Sequence, residues 1–254
     1  MLPRAVLEQI THRFVLRRRL PGPFRAARIY VSSEGGLRYL RPSLGAADPD
    51  LLRLAEEVVR PGDVVWDIGA NIGLFSFAAA VAAGPGGHVL ALEPDAVLVR
   101  LLRRSAVANL GLAQVEVLPV AVADEIGAAR FHIARRNRAT SHLDGFGTTQ
   151  TGGVRTTELV PTVTLDWLAA RFPMPRVVKI DVEAAELKVL AGAASVLRSG
   201  PTIICEVAER NAATAGDLLT SYGYTLYSAH QPSAQRTPAT VAPPDTLAIC
   251  GDRP

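Results

Sequence analysis

Several residue types are scarce in this 254-residue chain, and each shortage excludes something. There are two cysteines, Cys205 and Cys250, in neither a C-x-x-C pair nor a histidine cluster. No thiolate zinc site can be built from them, and both read as reduced thiols within strands. No apolar run reaches the roughly 20 residues that a membrane span requires. No secretory signal is visible either, so the expected location is the cytoplasm. Lysine is nearly absent, with Lys179 and Lys188 the only two among 27 basic residues. The formal net charge of +3 is no polycation, so the basic pI says little for a nucleic-acid partner.

The charge that is present is uneven. Nine arginines fall within residues 1–41, against Glu8 and Glu34. This reads as a solvated basic arm, with anionic substrate or headgroup contact as the functional alternative. Residues 5–20 suit a short basic helix. "RIYVSSEGGLRYLRP" (28–42) suits a hairpin about Glu34-Gly35-Gly36.

Beyond the arm the pattern alternates. A helix over 51–59, capped by Asp48 or Asp50, stops at Pro61-Gly62. Strands follow at 63–67, 88–94 and 115–122, with helices at 75–83 and from Asp95 to about Ala108 between them. Alternation of this kind specifies a doubly wound, mostly parallel sheet. Residues 128–164 carry two strands around a Gly/Thr/Arg-rich stretch and read as an insertion, mobile near 135–157. Strand 176–181, helix 184–197, strand 202–207, a helix over 211–221, and strands 224–229 and 246–250 complete the chain.

"VVWDIGANIGLF" (64–75) interrupts buried apolar residues with one acid, two glycines and an asparagine. It places Asp67 at the end of the first strand and a glycine turn where open α/β sheets bind ligands. Glu93 ends the second strand, where a carboxylate can accept from both ribose hydroxyls. The turn does not have the G-x-G-x-x-G spacing that cradles a pyrophosphate. An acid directly before it suits an ammonium instead. The arrangement therefore favours S-adenosylmethionine over NAD.

"VVWDIGANIGLFSF", "ALEPDAVLVRLLRRSAVANL", "VTLDWL" and "VVKIDVEAAELKVLAGA" together resemble the FkbM-type S-adenosylmethionine-dependent methyltransferases across roughly residues 50–210. The resemblance implies a Rossmann-like class I methyltransferase fold, α/β, with a mostly parallel seven-stranded sheet, a C-terminal antiparallel hairpin and an N-terminal extension. It divides the chain into a basic arm and hairpin, 1–47, and a methyltransferase domain, 48–254. It implies O-methylation of a hydroxyl on a small molecule, natural product or sugar. By position, Asp67, Gly69, Ala70, Asn71 and Gly73 surround the methionine end of the cofactor. Glu93 and Pro94 lie at its ribose, and Asp124 near its adenine. The family's usual K-I-D-x-E-G is here K-I-D-V-E-A, with Ala184 in the glycine's place, expected to fit as the first turn of a helix.

An alcohol must lose its proton as it attacks, so a general base helps. Asp181, Glu183 and His142 are the catalytic candidates, with Glu206 on the same rim. Lys179 is expected to pair with an acid such as Glu206, Glu183 has helix capping as its plain alternative, and Asp166 reads as a helix cap. Asp181, Glu183 and Glu206 could hold Mg²⁺, but the spacing does not demand it, and no metal is expected. A nucleic-acid methyltransferase lacks support, because "KIDVE" stands where an N/D-P-P-Y/F motif would be. A non-catalytic protein that keeps the fold is the second rival, and a dehydrogenase, which failure to bind NAD would remove, is the third. Oligomeric state stays open, with a homodimer among the options.

Overall fold

Short apolar strands between amphipathic helices build a seven-stranded sheet flanked on both faces. The structure, a computed structural model, describes residues 14–146 and 151–251. Helix α1 (Pro49–Val58) begins at Asp48, whose Oδ1 accepts from the Leu51 N–H at 3.0 Å. It leads into β3 (Val64–Ile68), α2 (Leu74–Ala83), β4 (His88–Leu92), α3 (Ala96–Val107) and β5 (Gln114–Leu118). After an insertion come β10 (Val177–Ile180), α5 (Glu186–Ala191), α6 (Ala194–Ser199), β11 (Thr202–Glu206), α7 (Ala212–Ser221), β12 (Tyr224–Ser228) and β13 (Asp245–Cys250).

The strand order is β12-β13-β11-β10-β3-β4-β5. Strands β11, β10, β3, β4 and β5 run parallel, and β13 lies antiparallel to both of its neighbours. The chain steps outward from β3 through β4 to β5, then returns to the other side of β3 as β10. That reversal opens a crevice at the carboxyl ends of β3 and β10, where ligands bind in such sheets. Buried apolar residues form one cluster on each face of the sheet.

Beside it stands a smaller sheet of order β6-β9-β7-β8, made of β6 (Ala121–Val122), β7 (Gly127–Ala134), β8 (His142–Leu143) and β9 (Val154–Val163). This is the expected insertion. Within its loop, 147–150 lie outside the described residues, while 138–140 form a 3₁₀ turn that leads into β8. A short helix α4 (Leu165–Ala169) returns the chain to the main sheet. Among the described residues, no helix is long and apolar enough to cross a membrane.

Two expectations about elements are corrected. The 115–122 strand divides at Pro119, which has no N–H to give a ladder, so Ala121 and Val122 leave to pair with Thr162 and Val163. The 184–197 helix begins at Glu186 and breaks between Ala191 and Ala194. Gly192 passes so close to the Ala123 carbonyl that a Cβ there would sit 2.7 Å from its oxygen. The short helix α4 is capped by Thr164, which accepts from the Trp167 N–H, while the helix that Asp166 caps, as expected of it, is α6. The Asp166 Oδ1 accepts from the Ser195 and Val196 N–H groups at the start of α6.

The arm also differs from its reading. Residues 1–13 of the expected basic helix lie outside the described residues, and its remainder, β1 (Leu16–Arg19), is a strand paired with β2 (Arg28–Val31). The hairpin therefore precedes Glu34-Gly35-Gly36, which sits in 3₁₀ turns at 33–35 and 37–40. These turns are fixed by side chains far along the chain. Arg18 donates to the carbonyls of Tyr39, Arg41 and Pro42. Phe24, Ile29, Val31 and Tyr39 join the same buried cluster as α1 and α2, which is why α2 is buried on nearly all sides.

Candidate active site

A cavity of about 330 Å³ opens at the carboxyl ends of β3, β4 and β10, within the size range of small-molecule sites. Its floor is the turn after β3. Gly69 (φ +74°) runs against β10, where a Cβ would fall 1.9 Å from the Asp181 carbonyl oxygen. Only glycine fits there. The Gly69 and Ala70 N–H groups both donate to the Leu92 carbonyl, tying the turn to β4.

Glu93, at the end of β4, lines the cavity and is almost wholly buried. Its Oε2 accepts from the Asn71 N–H at 2.8 Å and its Oε1 from the Asp95 N–H at 2.9 Å. In the ionised form each oxygen retains a second lone pair for a ligand hydroxyl. Burial pushes this carboxyl up to about 8, against the pull of the two N–H bonds. Pro94 lines the cavity next to it.

On the β10 side stand Asp181, Glu183 and Glu206. Burial alone would raise the Asp181 carboxyl, yet the Lys179 ammonium at 3.3 Å and a hydrogen bond from Glu206 hold it below the usual carboxylate range. The Asp181 charge, followed by burial, drives Glu206 up to about 9. Glu206 therefore keeps its proton at neutral pH and donates it to Asp181. Burial, and then Asp181, lift Glu183 to about 7. Glu183 sits at φ +51° and Ala184 at φ +72°, so neither is in a helical turn. The expectation that Ala184 begins a helix is corrected; Ala185 precedes α5, and no side chain, that of Glu183 included, donates or accepts a capping bond there.

Other expected residues are placed differently. Asp67 has no exposed surface. Its Oδ2 accepts from Ser76 Oγ at 2.5 Å, and its Oδ1 lies 3.2 Å from Lys179 Nζ. It supports the wall from behind and does not line the cavity. Lys179 bridges Asp67 and Asp181 and donates to the Gly69 carbonyl at 2.8 Å, in place of the expected pairing with Glu206. Ala70 and Gly73 are also absent from the lining. A Cβ on Gly73 (φ +90°) would lie 2.7 Å from Leu102 and Phe77 atoms, so that glycine serves packing. Asp124 accepts from Lys188 Nζ at 2.9 Å, and Val120, Ala121 and Val122 line the cavity instead. His142 is buried in β8 with its ring 5.5 Å from that of His132. Its neighbours Ser141 and Leu143 are the ones that face the cavity. Among the described residues, no group of three metal-ligating side chains is disposed to hold an ion.

Two segments complete the walls: Gly35–Arg38 of the arm and Asn137–Ser141 of the insertion. Arg138 fastens them. Its Nε donates to Glu34 Oε2 at 2.7 Å and its Nη1 to Asp95 Oδ2 at 2.8 Å. Asn71 Nδ2 reaches the Gly35 carbonyl at 3.3 Å. No local motif marks these residues, because each partner lies far away in sequence.

The lining fits a nucleoside that carries a cationic amino-acid end. Carboxyl groups come from Glu93 on one side and from Asp181, Glu183 and Glu206 on the other, apolar Leu98, Val120 and Phe131 can face a base, and the buried amide oxygens of Asn71 and Asn137 have no hydrogen-bond partner in the protein. Both amides could accept from ligand N–H groups.

This sheet order, with its reversed crevice and single antiparallel strand, is the Rossmann-like class I methyltransferase fold, and the cavity lies at the carboxyl ends of its parallel strands. Residues 67–226 match the family model described as the methyltransferase FkbM domain. The hexuronic acid methyltransferase AglP of Haloferax volcanii is 30% identical over 187 residues, which cover 72% of this chain and 70% of that protein. The 31-O-demethyl-FK506 methyltransferase FkbM of Streptomyces tacrolimicus is 44% identical over 72 residues, 28% of this chain and 26% of that one. Among solved structures, a precorrin-6y C5,15-methyltransferase from Geobacter metallireducens superposes with a TM-score of 0.43 at 15% identity, covering 78% of this chain and 83% of that chain. The chain belongs to the FkbM family of S-adenosylmethionine-dependent methyltransferases.

Proposed function

We propose that the chain transfers a methyl group to a hydroxyl of a small molecule or sugar, with Glu183 as the general base. The carrying observation is Glu183 itself, a cavity-wall carboxyl lifted to about 7 by burial and by Asp181. A base is most effective when its pKa lies near working pH. Bound S-adenosylmethionine supplies an electrophilic sulfonium methyl. The protein must then align the acceptor oxygen, exclude water and take up a proton. Glu93 and Asn71 would hold the nucleoside and amino-acid ends. Asp181, kept ionised by Lys179 and Glu206, would present fixed negative charge beside the base. The printed names of the two curated relatives support a sugar or natural-product acceptor. The reading includes no nucleic-acid partner. Cys205 and Cys250 are both free thiols, which supports a cytoplasmic setting.

Release of S-adenosylhomocysteine with hydroxylated acceptors, sugars and uronic acids included, tests this reading. Glu183→Gln is expected to lower kcat by about 10²–10⁴-fold. It should also abolish the rise in kcat/KM through pH 7 that follows deprotonation of Glu183. The methylated product should be an alkali-stable ether. Unchanged kinetics in the variant, or an alkali-labile methyl ester, would contradict the proposal.

A further inference from the structure

Two arginines line the cavity, and the fold uses them differently. Arg138 is 13% exposed in its side chain and is held by Glu34 and Asp95 at 2.7 and 2.8 Å. Arg38 has a side chain 40% exposed, and its nearest carboxylate, Asp48, lies 3.8 Å away. Its other polar contact is Nη2 to Tyr39 Oη at 3.1 Å. A guanidinium has five N–H donors, so Arg38 keeps several for a ligand. It is also aimed in advance. Tyr39 is almost fully buried, the Arg38 guanidinium packs 5.0 Å from its ring centroid, and Arg18 bonds to the Tyr39 carbonyl behind it. The Arg38 charge also favours the ionised forms of Asp181 and Glu183, but the cation in contact with Asp181 is Lys179, at 3.3 Å.

Its position defines a partner. Arg38 follows Gly35, whose carbonyl is bonded to Asn71, so it borders the turn after β3. Across the cavity stand Asp181 and Glu183, which repel anions. An anionic ligand group therefore has one favourable place on this wall, at the half-exposed guanidinium. Arginine matches a carboxylate through two parallel N–H bonds, and a fixed fork loses less freedom on binding.

We propose that Arg38 is a carboxylate anchor of the active-site cavity, receiving either the amino-acid carboxylate of the cofactor or the carboxylate of an acidic acceptor. The second source rests on the hydroxyl-acceptor reading above.

Calorimetric titration of the full chain and of Arg38→Gln and Arg38→Lys tests the anchor. One arm compares S-adenosylhomocysteine with its decarboxylated counterpart. The other compares D-glucuronate with D-glucose, each added to protein saturated with S-adenosylhomocysteine. Arg38→Gln is expected to weaken one carboxylate-bearing ligand by at least about tenfold while its carboxylate-free counterpart changes less than about twofold. Arg38→Lys, which keeps the charge and loses the fork, should fall between. A loss confined to the first arm assigns the cofactor's carboxylate, and one confined to the second assigns the acceptor's. Undiminished binding of both carboxylate ligands overturns the anchor, as does equal weakening of both members of each pair. Failure of methyl transfer to every hydroxyl acceptor, with the binding difference intact, overturns only the acceptor reading.

Discussion

Ala184 occupies a left-handed backbone position, φ +72°, immediately after Glu183 at φ +51°. A side chain there costs on the order of 1–2 kcal/mol relative to right-handed backbone. Here the strain is retained, and it turns the chain so that Glu183 lines the cavity while Glu186, fully buried, accepts from the Ala208 N–H and Asn211 Nδ2 at the far end of the same turn. Ala184→Gly should raise stability by roughly 0.5–1 kcal/mol in urea unfolding, the strain relief being partly offset by the freer unfolded chain. A loss of stability would mean that the conformation is not strained. Much of the site at this scale was legible in the sequence. Glu93, Asn71, Asp181 and Glu183 sit at strand ends or in the turn after a strand, positions that local pattern defines, and all four line the cavity. Asp67 and Asp124 do not line it, because they are held by Lys179 and Lys188, which come from other elements. His142 does not line it, because strand alternation turns it away from the side that Ser141 and Leu143 present.

Three elements meet at Arg138, which joins the insertion's 3₁₀ turn to the start of α3 and to the arm. Removing a mostly buried charge leaves its partners uncompensated, at about 3 kcal/mol. Arg138→Ala should therefore lower stability by that order, and it should speed hydrogen exchange across residues 33–40 and 137–143 together. Faster exchange in only one segment would show that Arg138 does not couple them. Helices and strands could be placed from sequence because their caps and periods are local, as with Asp95, whose Oδ1 accepts from the Val97 and Leu98 N–H groups. The arm could not be placed. Its turns depend on Arg18 reaching carbonyls more than twenty residues ahead and on an ion pair spanning 104 positions between Glu34 and Arg138.

At the scale of the whole molecule, the cavity concentrates carboxyls that hold protons more tightly folded than unfolded. Glu93, Glu183 and Glu206 stand at about 8, 7 and 9, against an ordinary value of 4.5. The folded state thus binds more protons between these limits. The resulting stabilisation is fully present below about pH 4.5 and is lost as pH rises through 7 to 9. Asp181, held low, acts in the opposite sense, but only below its ordinary value of 3.8. Thermal unfolding should therefore show Tm falling between pH 6 and pH 9, with a shallower fall in Glu206→Gln, which cannot ionise. An equal slope in wild type and variant would place the responsible groups elsewhere.

The central claim is that the crevice between β3, β4 and β10 holds S-adenosylmethionine, with Glu93 at its ribose. Calorimetric titration of S-adenosylmethionine into wild-type protein, Glu93→Gln and His142→Ala tests it most directly. The account predicts micromolar-range binding to wild type and to His142→Ala, and at least about tenfold weaker binding to Glu93→Gln. Absence of wild-type binding, or undiminished affinity in Glu93→Gln, would contradict it.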